Sequence, residues 1–240
     1  MKAPLREALF ELAATPGDDQ WTPEAASRVF SKFPSFADEE KSTDFSIVFQ
    51  GTPDGPIAMP VTPLWRVKRW ADNKQRLIQL VANMCVYNVL GPAYEHFENE
   101  TQTLSDVIDA YVETARPTKI GWIGQRYINA VRVPTPDVAS YFTIFPTLPE
   151  HESHRPFALQ VQLVEDKNST VVTNLSLEHA AGSEANYVLD IYARSVGEPP
   201  IDVSAIKQWH SATHEHVRRV FSMTTTPKLR ALFPDASWGS

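Results

Sequence analysis

The residues with the clearest capacity for chemistry lie near the end of the chain, in the segment His210-Ser211-Ala212-Thr213-His214-Glu215-His216. His210 and His214 are one helical turn apart, so both side chains could face one metal ion, with Glu215 beside them. The order differs from the His-Glu-x-x-His of zinc hydrolases, and the sequence offers no third ligand. His210 also continues an apolar helical stripe, which indicates a core residue. A metal-dependent hydrolase using His210, His214 and Glu215 and a packing role for these histidines therefore stand as alternatives.

Two other groups combine reactive side chains. His151-Glu152-Ser153-His154 lies in a proline-rich connection, where neighbouring loop residues rarely hold catalytic geometry, so we predict a polar loop. Arg126 and Asn129 could bind a carboxylate or phosphate. They are separated by an odd step along a predicted strand, however, and so point to opposite faces. We therefore expect them to satisfy backbone groups or acidic residues at the sheet edges.

A basic and aromatic stretch is the predicted partner-binding surface. It consists of Trp65, Arg66, Lys68, Arg69, Trp70 and Arg76 on one predicted hairpin. The pattern is typical of a surface that faces an anion, including a nucleic acid, and it also arises on any solvated strand pair. A net charge of −7 argues against a dedicated nucleic-acid binder, because such proteins gain affinity by neutralising phosphates.

Several motifs of known chemistry are missing from the sequence. It has no Gly-x-x-x-x-Gly-Lys phosphate loop, no Gly-x-Gly-x-x-Gly dinucleotide turn, no Gly-x-Ser-x-Gly nucleophile elbow and no Cys-x-x-Cys pair. The single cysteine, Cys85, lies in an apolar stretch and is predicted to be a core residue. We expect no cofactor and no metal. The chain is more readily a binding protein than an enzyme.

Hydropathy and cysteine content suggest where the protein works. No run of about 18 apolar residues could cross a bilayer, and Met1–Glu7 lacks the apolar region of a secretion signal. One cysteine excludes an internal disulfide framework, as is usual in a reducing compartment. We therefore expect a cytoplasmic protein that does not contact membranes.

The elements that must position these residues follow from periodicity. Strands are predicted over Leu5–Leu12, Phe45–Phe49, Leu64–Trp70, Arg76–Asn88 and Lys119–Val133. Thr22 and Pro23 are predicted to start one amphipathic helix, and Gly91-Pro92 precedes another that carries Phe97, Leu104, Ile108 and Tyr111.

The second half of the chain repeats this plan. Strands are predicted over Phe157–Val164, Val171–Leu177 and Tyr187–Arg194, followed by a helix capped by Asp202. The prediction is an α+β fold of two pseudo-repeated halves, each a β-meander plus helix, with antiparallel sheets and the helices packed on one face. The halves are residues 1–134 and 135–240, packed intimately and compatible with one continuous domain.

Several short segments together carry a resemblance. They are Pro4–Leu12, Gln79, Asn88, Tyr94–Phe97, Arg126–Asn129, then His214 or His210 with Phe221 and Thr224. In this order they resemble an uncharacterised, sporadically distributed bacterial protein family of similar chain length. That family is often met near defence or mobile-element genes, and the resemblance supplies no catalytic residues.

The resemblance implies an accessory role, antitoxin-like or CRISPR-associated, in a bacterial defence system. Together with the missing motifs it predicts a non-enzymatic protein-binding accessory or regulatory protein, whose partner is encoded by a neighbouring gene. The alternatives are the metal-dependent hydrolase and a nucleic-acid accessory protein acting through the Arg66–Arg76 hairpin.

Overall fold

A computed structural model describes residues 4–17, 21–44, 47–52, 55–60, 64–134, 138–144, 158–164 and 169–233. Within these residues, nine strands form one antiparallel sheet and two strands form a separate hairpin. The large sheet contains β1 (Leu5–Thr15), β2 (Asp38–Asp44), β5 (Leu64–Ala71), β6 (Arg76–Val81), β7 (Met84–Leu90), β8 (Lys119–Val133), β9 (Ala158–Val164), β10 (Ser169–Ala181) and β11 (Glu184–Ser195). The hairpin consists of β3 (Ile47–Thr52) and β4 (Gly55–Pro60).

The described helices are α1 (Pro23–Phe30), α2 (Phe97–Ala115), α3 (Val203–Thr224) and α4 (Pro227–Arg230), and a 3₁₀ turn covers Val138–Ser140. Two of the helices, α1 and α3, begin at the predicted caps, whereas α2 begins at Phe97, later than the predicted start at Gly91-Pro92, and α4 was not predicted. Thr22 accepts a hydrogen bond from the Ala25 amide at 3.3 Å, and Asp202 accepts one from Ser204 at 2.8 Å. Each cap satisfies an amide that has no partner within its helix. None of the described helices is long and apolar enough to span a membrane.

The helices pack on one face of the large sheet. Phe97 of α2 and His210 of α3 both contact Phe10 of β1, each with ring centroids 5.8 Å apart. Phe30 of α1 lies 5.0 Å from the Arg69 guanidinium of β5. The alternate residues of each strand point to the opposite face, which none of the described helices covers and which we call the helix-free face. The predicted α+β class, with an antiparallel sheet and helices on one face, is confirmed.

Strand order reveals a topological repeat. The sheet runs β2-β5-β6-β7-β1-β8-β11-β10-β9, so β1 and β8 are central neighbours. On one side of this pair lies the meander β5 to β7, and on the other side lies the meander β9 to β11. Each meander is followed along the chain by a helix, α2 or α3. The two units are therefore related by a pseudo-twofold axis that passes between the antiparallel strands β1 and β8.

The two halves share one sheet, since β8 pairs with both β1 and β11. The division at residue 134 stays a prediction. It falls at the end of β8, whereas the topological repeat begins at the start of that strand, Lys119.

Two strand predictions need correction. The single strand predicted over Arg76–Asn88 is wrong, because β6 and β7 form a hairpin that turns at Ala82 and Asn83. Both faces of this hairpin are buried, including the consecutive residues Leu77 and Ile78, so the segment appears as one apolar run without glycine or proline. The polar strand β2 has no apolar alternation and was not predicted. Phe45, the first residue of another predicted strand, lies outside the described residues.

Candidate functional site

Strands β1 and β8 are neighbours at the centre of the sheet. They carry two of the segments on which the family resemblance rests, Pro4–Leu12 and Arg126–Asn129. Leu9 of β1 lies opposite Arg126 of β8. Alternation places Glu7 and Arg126 on the helix-free face, and it places Phe10 and Tyr127 under the helices. The motif residues therefore form two clusters, one on each side of the same strand pair.

Arg126 and Asn129 occupy opposite faces, as predicted. The Arg126 guanidinium donates from Nε and Nη2 to the two carboxylate oxygens of Asp190, at 2.9 and 2.8 Å. Asn129 is buried and donates to the Leu189 carbonyl at 3.2 Å. As predicted, Arg126 satisfies an acidic group and Asn129 a backbone group, but both residues lie on the central strand β8 and not at a sheet edge.

Two glutamates of β1 lie half-buried beside Arg126. Glu7 accepts a hydrogen bond from the Asn88 side chain, and burial raises the pKa of Glu7 while Arg126 opposes the shift. Burial also raises the pKa of Glu11, against the opposing effects of the Tyr192 hydroxyl and of Arg126. The Glu11 Oε2 atom is buried and has no hydrogen-bond partner among the described residues. Carboxylates in such surroundings take up protons more readily than exposed ones.

Aromatic rings and a second arginine complete the cluster. The Trp122 and Tyr192 rings meet edge to face with centroids 6.4 Å apart, and Arg194 lies 4.6 Å from the centre of the Trp122 ring. Gly124 leaves room for this arrangement, since a Cβ atom there would lie 2.7 Å from Glu11 Oε2 and 2.8 Å from Trp122 Cζ3. We call this group the β1/β8/β11 cluster. Its members are Glu7, Glu11, Asn88, Trp122, Arg126, Asp190, Tyr192 and Arg194.

Most of this cluster was missed at the sequence level, although one signal was present. Trp122, Gly124 and Arg126 alternate along one predicted strand, and Asp190, Tyr192 and Arg194 alternate along another. Alternation shows that each set shares a face. It does not show that the two strands are neighbours, which depends on the topology.

The second cluster lies under the helices and centres on the Tyr127 hydroxyl. This oxygen accepts a hydrogen bond from Gln125 Nε2 at 2.7 Å and lies 2.9 Å from His214 Nδ1, to which it can donate its own proton. The Tyr94 hydroxyl is more distant, at 3.4 Å. His214 stacks on Phe97 with ring centroids 4.5 Å apart. Burial raises the pKa of Tyr127 and lowers the pKa of His214 to about 4, so both groups are neutral near pH 7.

Tyr127→Phe should lower the free energy of unfolding by about 1–3 kcal/mol, because buried Gln125 and His214 each lose a hydrogen-bond partner. Chemical denaturation measures the change. Tyr94→Phe is the matched control, since it removes a hydroxyl whose contact is long, and we expect a loss below about 1 kcal/mol. Equal losses in the two variants would contradict a special role for the Tyr127 hydroxyl.

A cleft of about 260 Å³ lies between α2 and α3. Its lining residues are Phe97, Thr101, Gln102, Leu104, Ser105, Lys207, His210 and Ser211. His210 is almost fully buried, and its Nδ1 atom has no hydrogen-bond partner among the described residues. Burial lowers the pKa of His210 to about 3, which makes the imidazole neutral. Lys207 is paired with Asp109 at 2.9 Å, so its charge is already balanced.

The residues of the hydrolase alternative are dispersed. His210 packs against Phe10, His214 contacts Tyr127, and the Glu215 carboxylate pairs with Arg218 at 3.0 Å. In the part of the chain that the structure describes, no three His, Cys, Asp or Glu side chains are grouped as metal ligands.

The predicted partner-binding residues point to both faces of the sheet. Those on β5 are Trp65, Arg66, Lys68, Arg69 and Trp70, and Arg76 begins β6. Arg69 donates from Nε and Nη2 to one Glu39 oxygen at 2.9 and 2.7 Å, and Lys68 lies 3.5 Å from Glu40. Both glutamates belong to β2, so the acidic edge strand balances part of the basic hairpin. Whether these residues bind a partner stays a prediction.

Three further members of this set are all half-buried. Trp65 packs against Trp21 with ring centroids 5.6 Å apart, and Trp70 lies on the opposite face of the same strand. Arg76 reaches into the protein, where it donates to the Glu100 carboxylate at 2.9 Å. Arg76 therefore has a structural role whatever else it does.

Two remaining predictions concern reactive side chains. Cys85 is confirmed as a core residue, and burial raises the pKa of its thiol to about 12. The His151–His154 segment lies outside the described residues.

The comparisons with protein-family models and with curated proteins assign no family to the chain. No protein-family model and no curated protein matches the chain. The resemblance to the sporadically distributed bacterial family stays a prediction that rests on the motifs.

Proposed function

We propose that the protein is a non-enzymatic binding protein that holds a protein partner on the helix-free face of β1, β8 and β11. The observation that carries this proposal is the β1/β8/β11 cluster, where Trp122, Tyr192, Arg126 and Arg194 lie together at a partly exposed surface. Tryptophan, tyrosine and arginine are the residue types that most often dominate binding energy at protein interfaces.

The charges of the cluster favour an acidic partner. The Arg126 side chain is 40% exposed, whereas the Asp190 side chain that neutralises it is only 11% exposed. Arg194 is exposed, and Glu11 lies beneath it with one oxygen fully buried. The guanidinium groups of Arg126 and Arg194 are therefore more exposed to solvent than the carboxylates of Asp190 and Glu11. The part-buried ion pair of Arg126 with Asp190 and the ring contacts of Arg126 and Arg194 also hold these arginines in place, which reduces the entropy lost on binding.

The cellular role follows from the resemblance. It suggests an accessory or regulatory protein, antitoxin-like or CRISPR-associated, that works in the cytoplasm of a bacterium and binds a protein encoded by a neighbouring gene. A regulator of this kind needs a recognition surface and no reaction centre. The hydrolase and nucleic-acid alternatives have no comparable support, because the histidines are dispersed and the hairpin cations Lys68 and Arg69 face glutamates.

Arg194→Glu should weaken binding of the native partner by at least about tenfold, or about 1.4 kcal/mol, because it reverses an exposed charge at the cluster. The partner is captured from the native host with the tagged full-length chain, identified, purified and titrated against each variant. Arg132→Glu is the matched control. Arg132 of β8 also lies on the helix-free face. Its side chain is 70% exposed, and it pairs with Glu184 outside the cluster.

Two results would overturn the proposal. One is capture of no protein from the host at any expression level. The other is a partner that tolerates Arg194→Glu but is lost with Lys68→Glu, which would place the interface on the predicted β5 patch instead.

A further inference from the structure

Among the residues that the structure describes, the two edge strands of the large sheet differ in chemistry. One edge is β2, Asp38–Asp44, in which five of seven residues are charged: Asp38, Glu39, Glu40, Lys41 and Asp44. The other edge is β9, Ala158–Val164, which contains no charged residue and no proline. Charges and prolines on an edge strand normally prevent pairing with another chain. The β2 edge has this protection and the β9 edge lacks it.

The β9 sequence is also symmetric in residue type. It reads Ala-Leu-Gln-Val-Gln-Leu-Val, with Val161 at its centre. If two copies of this strand pair antiparallel about Val161, Gln160 of one copy lies opposite Gln162 of the other, and Leu159 lies opposite Leu163. Every position then meets a residue of its own kind. A twofold interface requires this self-complementarity, since the same surface serves both partners.

We propose that a second copy of this chain docks on β9, so that two large sheets join into one across a twofold axis at Val161. An axis perpendicular to the sheet keeps both helix layers on the same face. In each copy Val161 lies opposite Thr173 and Leu159 opposite Leu175 on β10, so Leu159 and Val161 of both β9 strands continue the helix-covered side. Gln160 and Gln162 are exposed and would meet on the helix-free side. The backbone groups on the outer edge of β9 supply the hydrogen bonds of the new strand pair.

The test exchanges the two glutamines for charges. Gln160→Lys combined with Gln162→Lys places like charges opposite each other twice across the axis. Gln160→Lys combined with Gln162→Glu places opposite charges there instead. Both double variants lose the hydrogen bond from Gln160 to Asn174, 2.8 Å in the unaltered protein, so each controls for the other.

Sedimentation equilibrium of the full-length chain, whose monomer mass is 26.9 kDa, measures the dissociation constant of the dimer. We expect a dimer for the unaltered protein and for the variant with opposite charges. The like-charge variant should dissociate at least about tenfold more readily, because like charges directly opposite each other destabilise a strand pair. Circular dichroism checks that all three proteins are folded.

An unaltered protein that remains monomeric at millimolar concentration would overturn the proposal. So would two double variants with equal dissociation constants, which would place any dimer interface elsewhere. The β9 edge is separate from the β1/β8/β11 cluster, so the dimer and the partner interface can fail independently.

Discussion

Glu100→Ala should lower the free energy of unfolding by about 3–5 kcal/mol, the range measured when one member of a buried ion pair is removed. Glu100 is 1% exposed. Its carboxylate accepts hydrogen bonds from Arg76 Nη2 at 2.9 Å and from the Tyr87 hydroxyl at 2.5 Å. The hydrogen bond to Glu100 raises the pKa of Arg76, whereas burial, followed by the same carboxylate, raises the pKa of Tyr87. Without the carboxylate, the buried Tyr87 hydroxyl loses its acceptor, and the Arg76 guanidinium keeps only Asp72 and the Ala93 carbonyl as acceptors. Urea denaturation gives the change.

Glu113→Ala is the control for this measurement. Glu113 lies on the same helix and pairs with Lys32 at 2.5 Å, but its side chain is 73% exposed. An exposed ion pair contributes about 0–1 kcal/mol, so the control should stay close to the unaltered protein. A loss below about 1 kcal/mol in Glu100→Ala would show that Arg76 and Tyr87 find other partners or water.

Acidification from pH 7 to pH 5 should destabilise the protein through His210 and His214. Burial lowers their pKa values to about 3 and about 4 in the folded state. The unfolded chain titrates near 6.5 and therefore binds more protons than the folded protein below that pH. The stabilisation that these two neutral histidines contribute is therefore fully present above about pH 6.5. It is lost as the pH falls toward their pKa values in the folded state. Each histidine contributes a slope of at most about 1.4 kcal/mol per pH unit. Denaturation curves at successive pH values measure this slope.

His214→Gln should remove the contribution of His214 to the slope, since the glutamine amide oxygen can still accept from Tyr127 and the amide does not titrate. The exposed His179, replaced in the same way, is the matched control and should leave the slope unchanged. Glu7 and Glu11 act in the opposite direction. Their pKa values are raised in the folded state, so the folded protein binds their protons first and gains stability as the pH falls. A slope that does not change in His214→Gln would contradict a neutral, half-buried His214.

Strong local patterns made parts of the fold predictable. β8 spans Lys119–Val133 as predicted, because its apolar residues alternate along most of its length. The helix caps at Thr22 and Asp202 are equally local signals. The hairpin turn at Ala82 and Asn83 carries neither glycine nor proline, and both faces of its strands are buried, so periodicity gave no sign of it.

The candidate site was less predictable because it depends on strand neighbours. Arg126 meets Asp190 only because β11 pairs with β8, and no local pattern encodes that pairing. The basic hairpin shows the same difficulty. Without the polar strand β2, the cations of β5 look unpaired in the sequence, whereas Glu39 and Glu40 lie beside them in the fold.

The pairing of β1 with β8 has a consequence for how the chain reaches this fold. β1 lies at the beginning of the chain, and its partner β8 follows only after the first meander and α2. A chain emerging from the ribosome therefore forms β1 and the first meander while one edge of β1 has no strand to pair with. Non-local strand pairing of this kind slows folding and exposes unpaired backbone in the meantime. The central pair of the sheet can close only after β8, near the middle of the 240-residue chain, has been synthesised, and the two motif-bearing strands are joined at that step.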